Sequence, residues 1–202
     1  MSKIAAVLLA AGASQRFGAP NKLLADLRGK PIVLHVLDML ERAGVPEVIV
    51  VTGWDAEHVE QALSARSVRF AHNPDWATGM GSSIGIGIAA LETDVTGAMI
   101  VPGDMPLLDA DGVAQLVAQF GAVGAARVVY PVNAEGEQRN PVLWPRRLFA
   151  QLLALDPSKG AKQVLQRLSP ADCLGVPIGD ETTLIDIDTP EALAAAADKR
   201  PG

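Results

Sequence analysis

Apolar residues fall along this chain in two alternating rhythms. Ile4 to Leu9 is an unbroken apolar run, the pattern of a short strand buried on both faces. Similar runs recur at Glu47 to Thr52, Val68 to Ala71, Ala98 to Pro102 and Arg127 to Val132. Between them the spacing changes to three and four. Val33, Val36, Leu37 and Leu40 predict a helix opened by Pro31 and stopped by Gly44. Val59 and Leu63 belong to a helix from Asp55, and Val113, Leu116, Val117 and Phe120 to one starting at Asp109 or Ala110. Strand, helix, strand, helix, strand implies an α/β fold of Rossmann-like, three-layer type: a mostly parallel sheet with helices on both faces.

Two stretches break the rhythm. Leu23 to Lys30 reads as an extended segment and turn. Asn73 to Leu91 begins as a loop with Gly79 and Gly81, after which Ser82 or Ser83 is expected to cap a helix. Gly85-Ile-Gly87-Ile-Ala-Ala90 satisfies G-x-G-x-x-A, but no strand precedes it closely, so its glycines are read as permitting close helix packing. Beyond Val132, residues 133–138 form a polar turn from which Arg139 to Trp144 returns. Pro145 is expected to open a helix to about Leu155, and Asp156 to Ser158 a break before a helix through Val164 and Leu168. Asp172 to Val176 and Thr183 to Ile187 are predicted strands, and Thr189-Pro190 starts a last helix with Thr as N-cap. Residues 1–202 carry no internal repeat or linker and are expected to form one domain.

Composition narrows the function classes. The formal net charge is −6, which disfavours a general nucleic-acid surface. The single cysteine, Cys173, allows neither an internal disulfide nor a Cys-rich metal site. No apolar run approaches a membrane span, and the first strand starts too early for a signal peptide, so a cytoplasmic location without membrane partners is expected. His35 and His58 fall inside predicted helices and His72 beside a loop, with no metal or triad spacing among them.

The candidate chemistry lies in the turn after the first strand. Side chains shrink at Ala10-Ala11-Gly12, and Ser14, Arg16, Gly18 and Lys22 follow. A ligand on this turn would meet backbone N–H groups, a hydroxyl, a guanidinium and an ammonium, a set that suits a polyphosphate. It is not a P-loop, because five residues separate Gly12 from Gly18 and no Lys follows the second glycine. Nor does G-x-G-x-x-G occur here. Asp104 stands at the carboxyl end of a predicted strand, where open α/β sheets bind ligands, and reads either as a turn residue or as a Mg²⁺ ligand. Asp186 and Asp188 alternate with apolar residues and would share one strand face.

These residues resemble the signature of the MobA-like nucleotidyltransferases, L-A-(A/G)-G-x-S-x-R-(M/F)-G followed by Lys. Leu9, Ala10, Ala11, Gly12, Ser14, Arg16, Phe17, Gly18 and Lys22 fill its fixed positions. Asn73, Pro74, Trp76, Gly79 and Ser83 match a second stretch, N-P-x-W-x-x-G-x-x-x-S, and Pro102 to Pro106 and Asp186 to Pro190 match two more. The resemblance implies a fold like that of the nucleotide-diphospho-sugar transferases, and transfer of a nucleotidyl group with release of pyrophosphate. It assigns Arg16, Lys22 and Asp104 to catalysis. Leu9 to Gly12, Ser14, Gly18, Asn73, Gly79 and Ser83 fall to the nucleotide, and Asp104 with Asp186 to Mg²⁺ or Mn²⁺. Asp188 is read as a helix cap. Ala11, where guanylyl enzymes usually carry Gly, is similar to the cytidylyl branch, implying CTP as donor, molybdopterin as acceptor and a molybdoenzyme or its maturation chaperone as a partner. GTP, another phosphorylated acceptor, a cofactor carrier and a nicotinamide-dependent reductase are the alternatives. Arg139-Asn140 and Lys159-Gly-Ala-Lys162 depart from the family's usual residues; Arg139, Asn140, Lys159 and Lys162 either bind the acceptor or lie at the solvated surface.

Overall fold

A computed structural model of the chain describes residues 2–14, 17–18, 21–178 and 180–198. The elements, in chain order, are β1 (Ile4–Ala10), β2 (Asp26–Leu27), β3 (Lys30–Pro31), α1 (Ile32–Arg42), β4 (Glu47–Thr52), α2 (Ala56–Leu63) and β5 (Arg69–His72). There follow α3 (Met80–Ala89), β6 (Gly97–Pro102), α4 (Ala110–Ala122), β7 (Val128–Val132), β8 (Val142–Pro145), α5 (Phe149–Leu153), α6 (Lys162–Leu165), β9 (Cys173–Pro177) and α7 (Pro190–Asp198).

Seven strands make one sheet in the order β5-β4-β1-β6-β8-β7-β9. β5, β4, β1 and β6 run parallel, β8 is antiparallel to both β6 and β7, and β7 pairs parallel with β9. The alternation of side chains explains the three layers. On β1, Ile4, Ala6, Leu8 and Ala10 enter one core with residues of α1, α4 and α7, while Ala5 and Val7 enter the other with residues of α3 and α5. β6 divides likewise, Met99 and Val101 to one face and Ala98 and Ile100 to the other. α1 turns Val33, Val36, Leu37 and Leu40 inward as the spacing predicts.

Three local expectations are corrected. Residues 183–187 form no strand: a 3₁₀ turn covers Glu181–Thr183 and irregular chain follows. The Ile187 N–H donates instead to the Asp104 carbonyl, 2.8 Å away, so the tail is tied to the site rather than to the sheet edge. Pro145 ends β8 instead of opening a helix; a 3₁₀ turn at Arg146–Leu148 leads into α5. α3 begins at Met80, ahead of the serines expected to cap it. Its N-cap is Gly79, whose φ of 132° suits only glycine. A Cβ there would meet the Pro157 carbonyl oxygen and Ser158 Cα at 2.8 Å each. That carbonyl accepts from the Ser82 N–H, which leaves the Ser82 and Ser83 hydroxyls to accept from Asn73 Nδ2. Among the described residues no helix is long and apolar enough to cross a membrane.

Candidate active site

The carboxyl ends of β1 and β6 open onto a cleft of about 440 Å³. Leu9, Ala11, Gly12, Ala13 and Ser14 form one wall, Trp76, Ala77, Gly79, Met80 and Ser83 the other, and Pro102, Gly103 and Asp104 close the base with Lys22 and Asp188. The base is pinned by the Gly103 N–H, which donates to the Leu9 carbonyl at 3.0 Å. Ser14 adopts φ 50°, and its carbonyl accepts from the Phe17 N–H at 2.9 Å.

The charged groups sit together. Lys22 Nζ donates to Asp104 Oδ2 at 2.6 Å and to Asp188 Oδ1 at 2.8 Å. Oxygens of Asp104, Asp186 and Asp188 lie within 4.8 Å of one another. Burial opposes the charge on Lys22, but Asp104 and Asp188 outweigh it and hold the ammonium above the usual lysine value. Asp186 moves the other way. Partial desolvation of its carboxyl, reinforced by the Asp104 and Asp188 carboxylates against an opposing backbone hydrogen bond, pushes it above the usual carboxylate range. Among the described residues, one ammonium faces three carboxylates. Asp104 Oδ1 is moreover buried with no hydrogen-bond partner among the described residues. A buried acceptor without a donor, next to a carboxyl that resists ionisation, fits a divalent cation with oxygen ligands.

Of the residues named from the sequence, Leu9, Ala11, Gly12, Ser14, Lys22, Gly79, Ser83 and Asp104 line the cleft, and Asp186 joins its carboxylate cluster. Ala10 is buried beneath it, and Gly18 lies outside the lining with φ 84°. Asn73 is buried behind the wall: Nδ2 donates to Ser82 and Ser83, and Oδ1 accepts from the Asp75 N–H. It shapes the wall without reaching the cleft. Arg139 pairs with Glu137, Asn140 precedes a cis proline, and neither they nor Lys159 and Lys162 line the cleft. The Lys159 N–H donates to the Asp156 carbonyl, in the loop that braces α3. Arg16 lies outside the described residues.

Asp188 is the main correction. It was expected to cap α7, but the Thr189 hydroxyl accepts from the Ala192 N–H while Asp188 turns to Lys22. The D-x-D spacing already contained both carboxylates; what could not be read was a bent chain in place of a strand. Trp76 was visible as a motif position, and Met80, which carried no signal, lines the cleft while 55% exposed.

Residues 6–172 match the MobA-like NTP transferase domain. The chain belongs to that family. The fold is shared with solved structures. A nucleotidyl transferase from Methanothermobacter thermautotroptrophicus superposes with TM-score 0.82 at 24% identity, covering 97% of this chain and 96% of that one. Rv0371c from Mycobacterium tuberculosis H37Rv gives 0.81 at 22% identity, covering 98% and 99%, and its structure in complex with manganese gives 0.76 at 22% identity, covering 98% and 100%. By sequence, the bifunctional protein GlmU of Mycobacterium sp. strain KMS is 35% identical over 136 residues, 64% of this chain and 27% of GlmU. The MobA-like chain thus corresponds to about a quarter of that relative's length.

Proposed function

We propose that this MobA-like protein transfers a nucleotidyl group from a nucleoside triphosphate, CTP by preference, to the phosphate of molybdopterin, releasing pyrophosphate. The observation that carries the reading is the Lys22–Asp104–Asp186–Asp188 cluster at the base of a cleft walled by the backbone of residues 9–14. It sits where open α/β sheets bind ligands, outside the carboxyl ends of the strands.

The chemistry asks little covalent help of the protein. A phosphate monoester has a second pKa of about 6 and is largely dianionic at neutral pH, so no base has to remove a proton from it. Its oxygen forms a bond to the α-phosphorus as the bond to the bridging α–β oxygen breaks, and pyrophosphate leaves with that electron pair. Among the described residues no histidine lines the cleft, in keeping with this economy. Positioning and charge neutralisation then supply most of the rate. In this reading Asp104, Asp186 and Asp188 hold Mg²⁺ or Mn²⁺, which when bound neutralises charge on the phosphates. Lys22 keeps its ammonium charged and orients Asp104 and Asp188. Gly12 to Ser14 present backbone N–H groups to the triphosphate, and the family signature gives Arg16 the role of holding its phosphates. The apolar wall of Trp76, Ala77 and Met80 takes the flat part of a substrate. Ala11, in place of the glycine usual in guanylyl enzymes, supports the choice of CTP.

The deciding experiment is pyrophosphate release by the full chain with Mg²⁺, molybdopterin and each of CTP, GTP and ATP in turn. Release with CTP alone is expected. Release with GTP alone would keep the mechanism and overturn the assignment of Ala11. Tight CTP binding without release would overturn the acceptor and direct attention to Arg139 and Asn140. A response to NAD(P)H and to no triphosphate would replace the reading with a reductase.

A further inference from the structure

Lys22 does not hold itself in place. The residue before it, Asn21, is buried, and its side chain faces two ways: Oδ1 accepts from the Leu23 N–H at 3.0 Å, and Nδ2 donates to Asp55 Oδ2 at 3.2 Å. Asp55 lies 34 residues away, in the turn between β4 and α2. It occupies the N-cap position of α2 yet makes no capping hydrogen bond. An Asp there ordinarily accepts from a backbone N–H of the first turn, a bond that stabilises the helix. Here both oxygens are committed elsewhere, Oδ2 to Asn21 and Oδ1 to His58 Nδ1 at 2.6 Å. The same turn braces the opposite wall: the Trp54 N–H donates to the Ala11 carbonyl at 3.1 Å. A Cβ on Gly53 would meet Trp76 Cβ at 2.7 Å and Ala11 Cβ at 2.8 Å. None of residues 53–55 lines the cleft.

We infer that Asp55 is a positioning residue that fixes Lys22 against the carboxylate cluster through the Asn21 side chain, at the expense of capping its own helix. The catalytic part of this inference rests on the proposed nucleotidyl transfer; the positioning part stands on the hydrogen bonds alone. The Lys22 backbone is set by Asn21 on one side and by the short 3₁₀ turn of residues 22–24 on the other, and Asp55 is the anchor that ties Asn21 to the sheet. Loss of that anchor lets the ammonium drift by a fraction of its reach, and misplacement on the order of 1 Å costs an enzyme about 100-fold in rate.

The test uses the full chain with Asp55→Ala, Asn21→Ala, their double variant, Asp55→Asn and His58→Ala. Two readouts are taken: kcat and KM for pyrophosphate release, and hydrogen exchange at the Leu23 amide, which needs no turnover. Asp55→Ala and Asn21→Ala are each expected to lower kcat by about 10- to 100-fold with KM for the nucleotide nearly unchanged. The double variant should be no worse than either single one, because both break one link. Asp55→Asn keeps an oxygen for Asn21 Nδ2 and should recover most of kcat, whereas His58→Ala should remain within about 2-fold of the parent. Leu23 exchange should rise by about 10-fold or more in Asp55→Ala while the amides of β1 stay protected. Unchanged Leu23 exchange overturns the inference whether or not the parent turns over. Raised exchange with unchanged kcat in an active parent also overturns it, as do additive single effects. A parent that releases no pyrophosphate overturns the proposed function instead, and leaves the positioning claim to be decided by exchange.

Discussion

At the scale of single residues, Lys22 serves geometry and charge at once. It is 8% exposed and bridges two carboxylates, so its removal is felt by the fold as well as by any reaction. Lys22→Ala is expected to cost about 1–3 kcal/mol in urea unfolding, since Asp104 and Asp188 lose their shared donor. Turnover should fall further, by about 100- to 1,000-fold. Equal losses of stability and activity, expressed as free energy, would reduce Lys22 to a structural ion pair. A second residue governs the acid limb of stability. Burial opposes ionisation of Asp38, yet the Lys30 ammonium and the Arg66 guanidinium outweigh it and hold the carboxyl below the usual carboxylate range. A carboxyl depressed on folding contributes its stability in full above its unfolded value of about 3.9, and loses it as pH falls toward the folded value. Urea midpoints measured between pH 5 and pH 3 should therefore drop more steeply for the parent than for Asp38→Asn. The sequence displayed Lys22 and Asp104 openly, because each sits in a motif beside a strand end. It hid the pairing between them, which spans 82 residues and depends on which strands are neighbours.

At the scale of elements, apolar spacing was enough wherever a strand or helix buries a regular face, as in β1, β4, β6, α1 and α4. It failed where tertiary hydrogen bonds replace a regular ladder. Alternation in Ile185-Asp-Ile-Asp188 mimics a strand, but Ile187 packs into a core while its N–H goes to Asp104 and the carboxylates turn to the cluster. Capping failed for a related reason: Ser82 and Ser83 are spent on Asn73, and the loop at Pro157 caps α3 from outside. The expectation that the glycines of α3 permit close packing holds for one and not the other. A Cβ on Gly87 would meet Val7 Cγ1 at 2.2 Å and Val51 Cγ2 at 3.0 Å, whereas nothing lies within 4 Å of one on Gly85. Gly87→Ala should destabilise by about 1–3 kcal/mol through overpacking. Gly85→Ala should stabilise by up to about 1 kcal/mol through helix propensity. Equilibrium unfolding of the two variants separates the effects, and a neutral Gly87→Ala would refute the close approach of α3 to the sheet.

At the scale of the whole molecule, the parallel half of the sheet was legible and the mixed half only in part. The return from β7 into β8 follows from the polar turn between them, but the insertion of β8 beside β6 depends on long-range pairing that no local pattern encodes. If the cleft binds Mg²⁺ with CTP, the folded state gains about 2.7 kcal/mol at a ligand concentration of 100 Kd. Thermal scans should show a rise of several degrees with both ligands, and the Mg²⁺-dependent part should vanish in Asp104→Asn. The tail raises a question of timing. Lys22 meets Asp188 across 166 residues, and Arg28 Nη2 donates at 2.6 Å to the Ala196 carbonyl, tying α7 to the start of the chain. Chains emerge from the ribosome amino end first, and the sheet through β9 can assemble before residues 186–188 have appeared. A growing or clipped chain would thus have its sheet but lack two of its three carboxylates, so the charge cluster is completed only after the scaffold stands. A complete carboxylate cluster is then a report that residues 186–188 have joined a sheet already in place.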